Sequence, residues 1–311
     1  MTQTVLTRSF IGKGKVYVGL KAGGANLPLG NTSKLSLQIS EGKKELMDYT
    51  SAGGGMKDTM TRISGITGTM TVHDYSPANL AFVLRGEVDA QASGSVSNET
   101  GHTAYTNGFV EFAYAPDVTE AVTPVIDVSS GWVANTAYAE GDCILENSDV
   151  YQCTTAGTSH ASTEPTWADK DGTGETVTDG TVVWTNRGAV AMVDGTDYTL
   201  GKAGLVINAD ASRFASGLPI KISYTKMAAE ITQMLTQSAP EYVLFFDGLN
   251  EVDSGNPFYV KLHRVKFGVT SGLDMIGDDF AGLEVTFDVL QDTTMSGTGI
   301  SQYAKIAQVA A

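Results

Sequence analysis

Short segments in which apolar and polar residues alternate, bounded by Gly, Asn and Asp, recur along the whole chain. This period of two constrains the fold more than any other feature. In Leu283-Glu284-Val285-Thr286-Phe287-Asp288-Val289 every second residue is apolar. Successive side chains of a strand point to opposite faces, so such a run buries one face and wets the other. The same pattern, rich in β-branched residues, predicts strands over residues 16–20, 35–40, 60–72, 109–114, 220–224, 242–246, 259–267 and 283–290. The expected class is mainly β. One helix is expected after Ser76, which can cap it, with Pro77 at the first helical position, Leu80, Val83 and Leu84 as an apolar stripe, and Gly86 to terminate it. Residues 227–237 read two ways: Met227, Ile231, Met234 and Leu235 have helical spacing, while the Thr content also permits a strand.

The length of 311 residues allows one large β domain or two smaller ones. With 42% hydrophobic and 18% charged residues the chain is expected to fold. Its densest apolar stretch, Tyr242-Val243-Leu244-Phe245-Phe246, is far shorter than the roughly 18 residues of a membrane helix, so no membrane partner is expected. Residues 1–10 carry no apolar secretory segment, which implies synthesis in a cytosol. Two cysteines cannot make a disulfide framework, and a net charge of −15 disfavours a protein that grips phosphates.

Composition shifts between residues 131 and 188. There Glu140, Asp142, Glu146, Asp149, Glu164, Asp169, Asp171, Glu175 and Asp179 face only Lys170 and Arg187, a local charge of −7 that leaves −8 for the rest of the −15. All three tryptophans, Trp132, Trp167 and Trp184, fall in the same stretch. It reads as a small β domain inserted into a host made of residues 1–130 and 189–311. The strand-like flanks at 122–128 and 189–193 should then pair, and the insert should be dispensable for assembly.

Chemistry-bearing patterns are sparse. His73, His102, His160 and His263 are scattered without zinc-ligand spacing, and no acid/base pair suggests a hydrolase, so neither an enzyme nor a cofactor is expected. Gly53-Gly54-Gly55-Met56-Lys57 lacks the spacing of a phosphate loop. Asp169-Lys170-Asp171-Gly172-Thr173-Gly174-Glu175 imitates half a calcium loop, but the position of its bidentate Glu would be Gly180, so an acidic turn is expected. Asp278-Asp279 reads as a solvated pair. Cys143 and Cys153 flank a hairpin with a turn at residues 147–149. A three-residue loop would set them opposite each other and a two-residue loop would offset them by one, with two buried thiols favoured over a disulfide.

The host part resembles the tail tube, or major tail, proteins of long-tailed bacteriophages. The resemblance lies in the order and spacing of Tyr242 to Asn250, the strand at 259–267, Leu273-Asp274-Met275-Ile276-Gly277-Asp278-Asp279-Phe280-Ala281-Gly282-Leu283, and Val289 to Asp292. It continues at the other end in a strand, a long polar Gly-rich loop, a long strand and the helix. It implies a β-sandwich or barrel with one flanking helix. Its copies would form hexameric rings that stack into a virion tube, and DNA would pass through without specific binding. Tape measure, tail terminator and baseplate proteins would be the partners. An acidic bore would let the duplex slide, provided Lys261, Arg264 and Lys266 are paired or point elsewhere. The loop at 41–62, with Lys43, Lys44, Gly53, Gly54, Gly55 and Lys57, is the candidate inter-ring arm, expected to order only on stacking.

The stretch at 131–188 resembles chitin-binding-like carbohydrate modules through Trp132 to Asp142, Val150-Tyr151-Gln152-Cys153, Glu164-Pro165-Thr166-Trp167 and Thr178 to Trp184. That resemblance points to Trp132, Tyr138, Tyr151, Trp167 and Trp184 as sugar-stacking residues and to a cell-surface glycan as partner, although in so small a domain some of these rings must form the core. Two other readings stay open: a carbohydrate-binding adhesin, and the tube of a contractile injection or secretion apparatus.

Overall fold

Every segment with the two-residue period becomes a strand in the computed structural model, which describes residues 9–50, 52–128, 131–167 and 173–309. Residues 169–172 of the calcium-loop imitation lie outside the described residues. The chain begins with β1 (Gly12–Leu20), β2 (Leu27–Pro28), β3 (Thr32–Met47), β4 (Met56–Val72), α1 (Pro77–Leu84) and β5 (Glu87–Gln91). It continues through β6 (Gly94–Ala104), β7 (Phe109–Glu111), β8 (Thr123–Ile126), β9 (Ala137–Tyr138), β10 (Cys143–Glu146), β11 (Asp149–Thr155), β12 (Gly157–Thr158), β13 (Thr176–Asp179), β14 (Val182–Ala189), β15 (Tyr198–Leu200), β16 (Gly204–Ile207) and β17 (Leu218–Lys226). It ends with β18 (Ala229–Gln233), β19 (Glu241–Asn250), β20 (Asn256–Phe267), β21 (Leu283–Val289) and β22 (Ala304–Gln308). The protein is mainly β, in several antiparallel sheets of which none closes. No described helix is long and apolar enough to cross a membrane.

Two compact units divide the chain: residues up to Asp89 with those from Glu230 onward, and Ala90–Ala229. The first is built on a sheet ordered β2-β1-β19-β20-β21-β4-β3, with β22 on the free side of β20. One face of that sheet carries Val16, Val18, Met70, Val72, Leu244, Leu262, Val265, Leu283, Val285, Phe287 and Val289, all buried. Burying a side chain of this size stabilises by roughly 1.5–3 kcal/mol. Gly68 faces Phe287 across β4 and β21, and a Cβ there would lie 2.2 Å from the phenyl ring.

Helix α1 covers part of this face through Leu80, Phe82, Val83 and Leu84. Ser76 caps it by accepting the Asn79 N–H at 3.2 Å, and Pro77 opens it, as expected. The stop differs from expectation. Arg85, at φ 49°, holds the left-handed position, while Gly86 donates its N–H to Ala81 O at 2.7 Å. Gly86 is small for another reason, since a Cβ there would meet Gln233 O at 2.2 Å. The segment 227–237 takes its strand alternative as β18, which pairs with β5.

The second unit surrounds a core shared by two three-stranded sheets, β6-β17-β8 and β15-β16-β7, with Ile126, Leu205, Ile207, Phe214, Leu218, Ile220 and Ile222 fully buried. The flanks of the acidic stretch pair: Ile126 donates its N–H to Val190 O at 2.9 Å and Met192 to Pro124 O at 3.2 Å. Between them β10-β11-β14-β13 form a sheet with an aromatic cluster of its own. The unit boundaries nevertheless fall at 89/90 and 229/230, outside the composition shift at 131 and 188. Side-chain direction is the reason. Cys143 and Val150 belong to the larger core, and buried Gln152 donates to Gly217 O at 2.7 Å while accepting from Arg187 Nε at 3.0 Å. Residues of the 131–188 stretch thus share packing and hydrogen bonds with the larger core.

The hairpin β10–β11 settles the cysteine question. Asn147 and Ser148, at φ 49° and 70°, make a two-residue turn that sets Cys143 opposite Gln152 and so offsets the two cysteines by one. They point to opposite faces, Cys143 into the larger core and Cys153 into the aromatic cluster. Both are buried thiols. Burial, the largest influence, pushes the Cys143 thiol up to about 12.

Candidate assembly and binding surfaces

The five aromatic residues assigned to sugar stacking form an interior. Tyr151 and Trp184 are 0% exposed and Trp167 6%. Trp132 and Tyr138 are half-buried against them. Tyr138 meets Trp184 edge-on with ring centroids 4.8 Å apart, and Tyr151 lies 4.6 Å from Trp167. Asp179, itself buried, ties the cluster together: its Oδ2 accepts the indole N–H of Trp132 at 2.7 Å and of Trp184 at 3.3 Å, and its Oδ1 accepts the His160 N–H at 2.8 Å. Three of the five rings thus have no open face for a sugar. Ile144, Val177 and Val182 complete the same cluster, so the rings pack with aliphatic neighbours as one small core.

The candidate arm is a hairpin and not a loop. β3 and β4 pair from Thr32↔Val72 out to Met47↔Met56, with Lys43 opposite Thr61 and Lys44 opposite Met60. The connection is short: Asp48 donates its N–H to Gly55 O at 2.6 Å, Gly53 and Gly54 have φ 105° and 44°, and Lys57 lies in the strand beyond. The outer part of this ribbon is exposed on both faces, and Ile39, Leu46, Met47, Met56, Met60 and Ile63 all stand in solvent. Sequence reading missed these residues because Lys43, Lys44 and the glycines drew attention. Residues 41–47 and 56–62 carry no apolar–polar alternation, so no local signal marked them as strands.

The basic residues of β20 have defined surroundings. Arg264 donates to both carboxylate oxygens of Glu241, Nε at 2.8 Å and Nη2 at 2.5 Å, and this hydrogen bonding holds the Glu241 carboxyl below its ordinary value. Lys266 lies opposite Glu241 on β19 and Asp288 on β21, whereas Lys261 lies opposite Phe245 and Lys305. On the polar face of the sheet Lys13, Lys15, Lys34, Lys261, Lys266 and Lys305 outnumber Glu241, Asp247, Glu284 and Asp288. At the edge of the same unit Lys21 pairs with buried Asp292, and that hydrogen bond, helped by Thr294, lowers the carboxyl to about 2.

A further surface escaped sequence reading. Met275, Ile276 and Phe280, in the connection between β20 and β21, are among the most exposed large apolar residues described. Their spacing among Asp274, Asp278 and Asp279 was the signal, read only as a solvated acidic pair.

These features define a mainly β chain whose conspicuous surfaces are apolar projections and not a pocket of titratable groups. The chain belongs to the family described as Protein of unknown function UCP028589, whose model matches residues 9–169 and 171–307. No curated protein matches it.

Proposed function

We propose that this chain is a structural protein that polymerises with copies of itself, and that the polymer is the tail tube of a long-tailed bacteriophage, made in the host cytoplasm and residing in the virion. The observation that carries the self-assembly reading is the β3–β4 ribbon. A two-stranded ribbon is at best marginally stable in water by itself, and six large apolar side chains on its outer part leave the solvent only if a partner covers them. The sheet behind it ends in edges that a neighbouring copy could extend, β3 on one side and β1, covered over Val16, Tyr17 and Val18 by the β2 segment, on the other. A phage tube in particular is supported by the order of elements around α1 and β19–β21, which matches the resemblance drawn from sequence. Stacked rings, probed by tape measure and terminator proteins at their ends, follow from that resemblance.

Charge sets a condition on DNA passage. The polar sheet face is basic, and lysines facing a duplex would hold phosphates through counterion release. In the sliding mechanism that face lies away from the bore. The burial of Tyr151, Trp167 and Trp184 favours the tube over the adhesin, for which only Trp132 and Tyr138 keep partly exposed rings.

Negative-stain microscopy of concentrated protein tests the proposal. Rings or tubes are expected from the unaltered chain and only dispersed particles from Ile39→Asp/Ile63→Asp. Dispersed particles from both, at every concentration, would overturn it.

A further inference from the structure

The connection between β20 and β21 exposes its apolar side chains almost completely: Met275 is 83% exposed, Ile276 97% and Phe280 99%. Its base is fixed, since the Thr270 N–H donates to Val83 O at 3.0 Å and Leu273 packs on the core beside α1. Between Leu273 and Phe280 stand three aspartates, Asp274, Asp278 and Asp279, and no base. The loop is therefore an anchored apolar projection in an acidic collar.

The same unit contains a concavity of opposite character. A cleft of about 460 Å³ opens between α1 and the β1–β2 connection. Phe82 and Tyr242 form its floor, in edge contact at 5.3 Å, and the exposed side chains of Leu20, Leu27 and Ala78 stand at its rim. Among the described residues Arg85 is the one charged side chain lining it, held in place by its left-handed backbone and by Nη2 donating to Phe267 O at 2.9 Å.

We propose that the 273–280 loop of one copy seats in the α1 cleft of a second copy, Ile276 and Phe280 entering against Phe82 and Tyr242 while the aspartates surround Arg85. Charge complementarity selects this occupant: an acidic collar meets a cleft whose only charge is a guanidinium, and carboxylate–Arg hydrogen bonds are the stronger kind. Loop and cleft are different surfaces, so the contact is heterologous. Each copy offers one of each, and repetition closes a ring or extends a filament. The inference rests on self-assembly, but not on the assembly being a phage tube and not on the ribbon.

Two sets of variants test it. Ile276→Asp/Phe280→Asp and Ala78→Trp alter exposed positions, so each should keep the unfolding midpoint of the unaltered chain while needing at least tenfold more protein to assemble. Mixing these two variants should stop at pairs, because only one intact loop and one intact cleft remain. Separate chains bearing Ile276→Cys or Ala78→Cys, mixed and treated with a short bismaleimide, should give a cross-linked pair that neither gives alone. Assembly of both variants at the usual concentration, with no cross-link in the mixture, overturns the contact. A cross-link confined to single chains carrying both cysteines also overturns it, the loop then covering its own cleft. If Ile39→Asp/Ile63→Asp abolishes polymers while the loop and cleft variants do not, the ribbon reading stands and this contact falls. If the unaltered chain does not assemble and the two cysteine variants give no cross-link in their mixture, both fall.

Discussion

The outer β3–β4 ribbon and the aromatic cluster around Trp184 are built from the same kind of material, paired strands with large apolar side chains, and they end in opposite states. In the cluster, β10, β11, β13 and β14 form a sheet whose apolar face is covered by Trp167 and Trp132 from the connecting segments, so Tyr151 and Trp184 are fully buried. On the ribbon, β3 and β4 satisfy each other's backbone over a comparable distance, yet no second layer covers Ile39, Met60 or Ile63. Strand pairing satisfies N–H and C=O groups, but only a second layer removes side chains from water. The cluster is therefore a folding element, and the ribbon is available to a partner.

The largest expected effect breaks or keeps this contrast directly. Trp184→Ala should cost about 3–5 kcal/mol of stability in urea unfolding, as removal of a buried aromatic does, whereas Ile39→Ala should stay within about 0.5 kcal/mol. Equal losses at the two positions would mean that the ribbon is packed in solution. Next comes Asp179→Ala, which strands the indole N–H groups of Trp132 and Trp184 and the His160 N–H. It should cost about 1–3 kcal/mol, with a changed tryptophan emission, and Asp179→Asn should recover part of the loss.

A smaller effect concerns pH and the first unit alone. The Asp292 carboxyl, held by Lys21, has its value lowered from 3.8 to about 2 in the folded chain. Its contribution to stability is thus complete above 3.8 and is lost as pH falls from there toward 2. Asp292→Asn should flatten that acid limb of the unfolding midpoint, and an unchanged limb would show that other carboxylates control it. Smallest of all for stability is Ile39→Asp/Ile63→Asp: the isolated chain should unfold within about 0.5 kcal/mol of the unaltered one while losing the ability to assemble. A large fall in stability without assembly would place these residues in a covered state and dissolve the contrast.

How much could be read beforehand follows from the range of each interaction. Val285 and Phe287 declared a half-buried strand because alternation is local, and Ser76-Pro77 declared a helix start because a cap involves only the next turn. The pairing of 122–128 with 189–193 was legible as the two ends of a compositional change. The stop at Arg85 was not, since Gly86 looked like the terminator and serves instead to let the chain near Gln233 pass closely. Lys43, Lys44 and the Gly53–Gly55 run suggested a loose loop because charge and glycine weaken a strand pattern, and the long partner β4 overrode them.

The sequence by itself determined that this chain would be a β protein with one capped helix and an acidic stretch rich in tryptophan, all properties set within a few residues or by composition. Tertiary structure alone decided which apolar residues would be available. A one-residue offset across Asn147-Ser148 sent Cys143 and Cys153 into different cores. Coverage by distant segments hid Trp184, and the lack of any such coverage left Ile39, Ile276 and Phe280 in water. Burial is a property of what the far parts of a chain bring together, and no local pattern contains it.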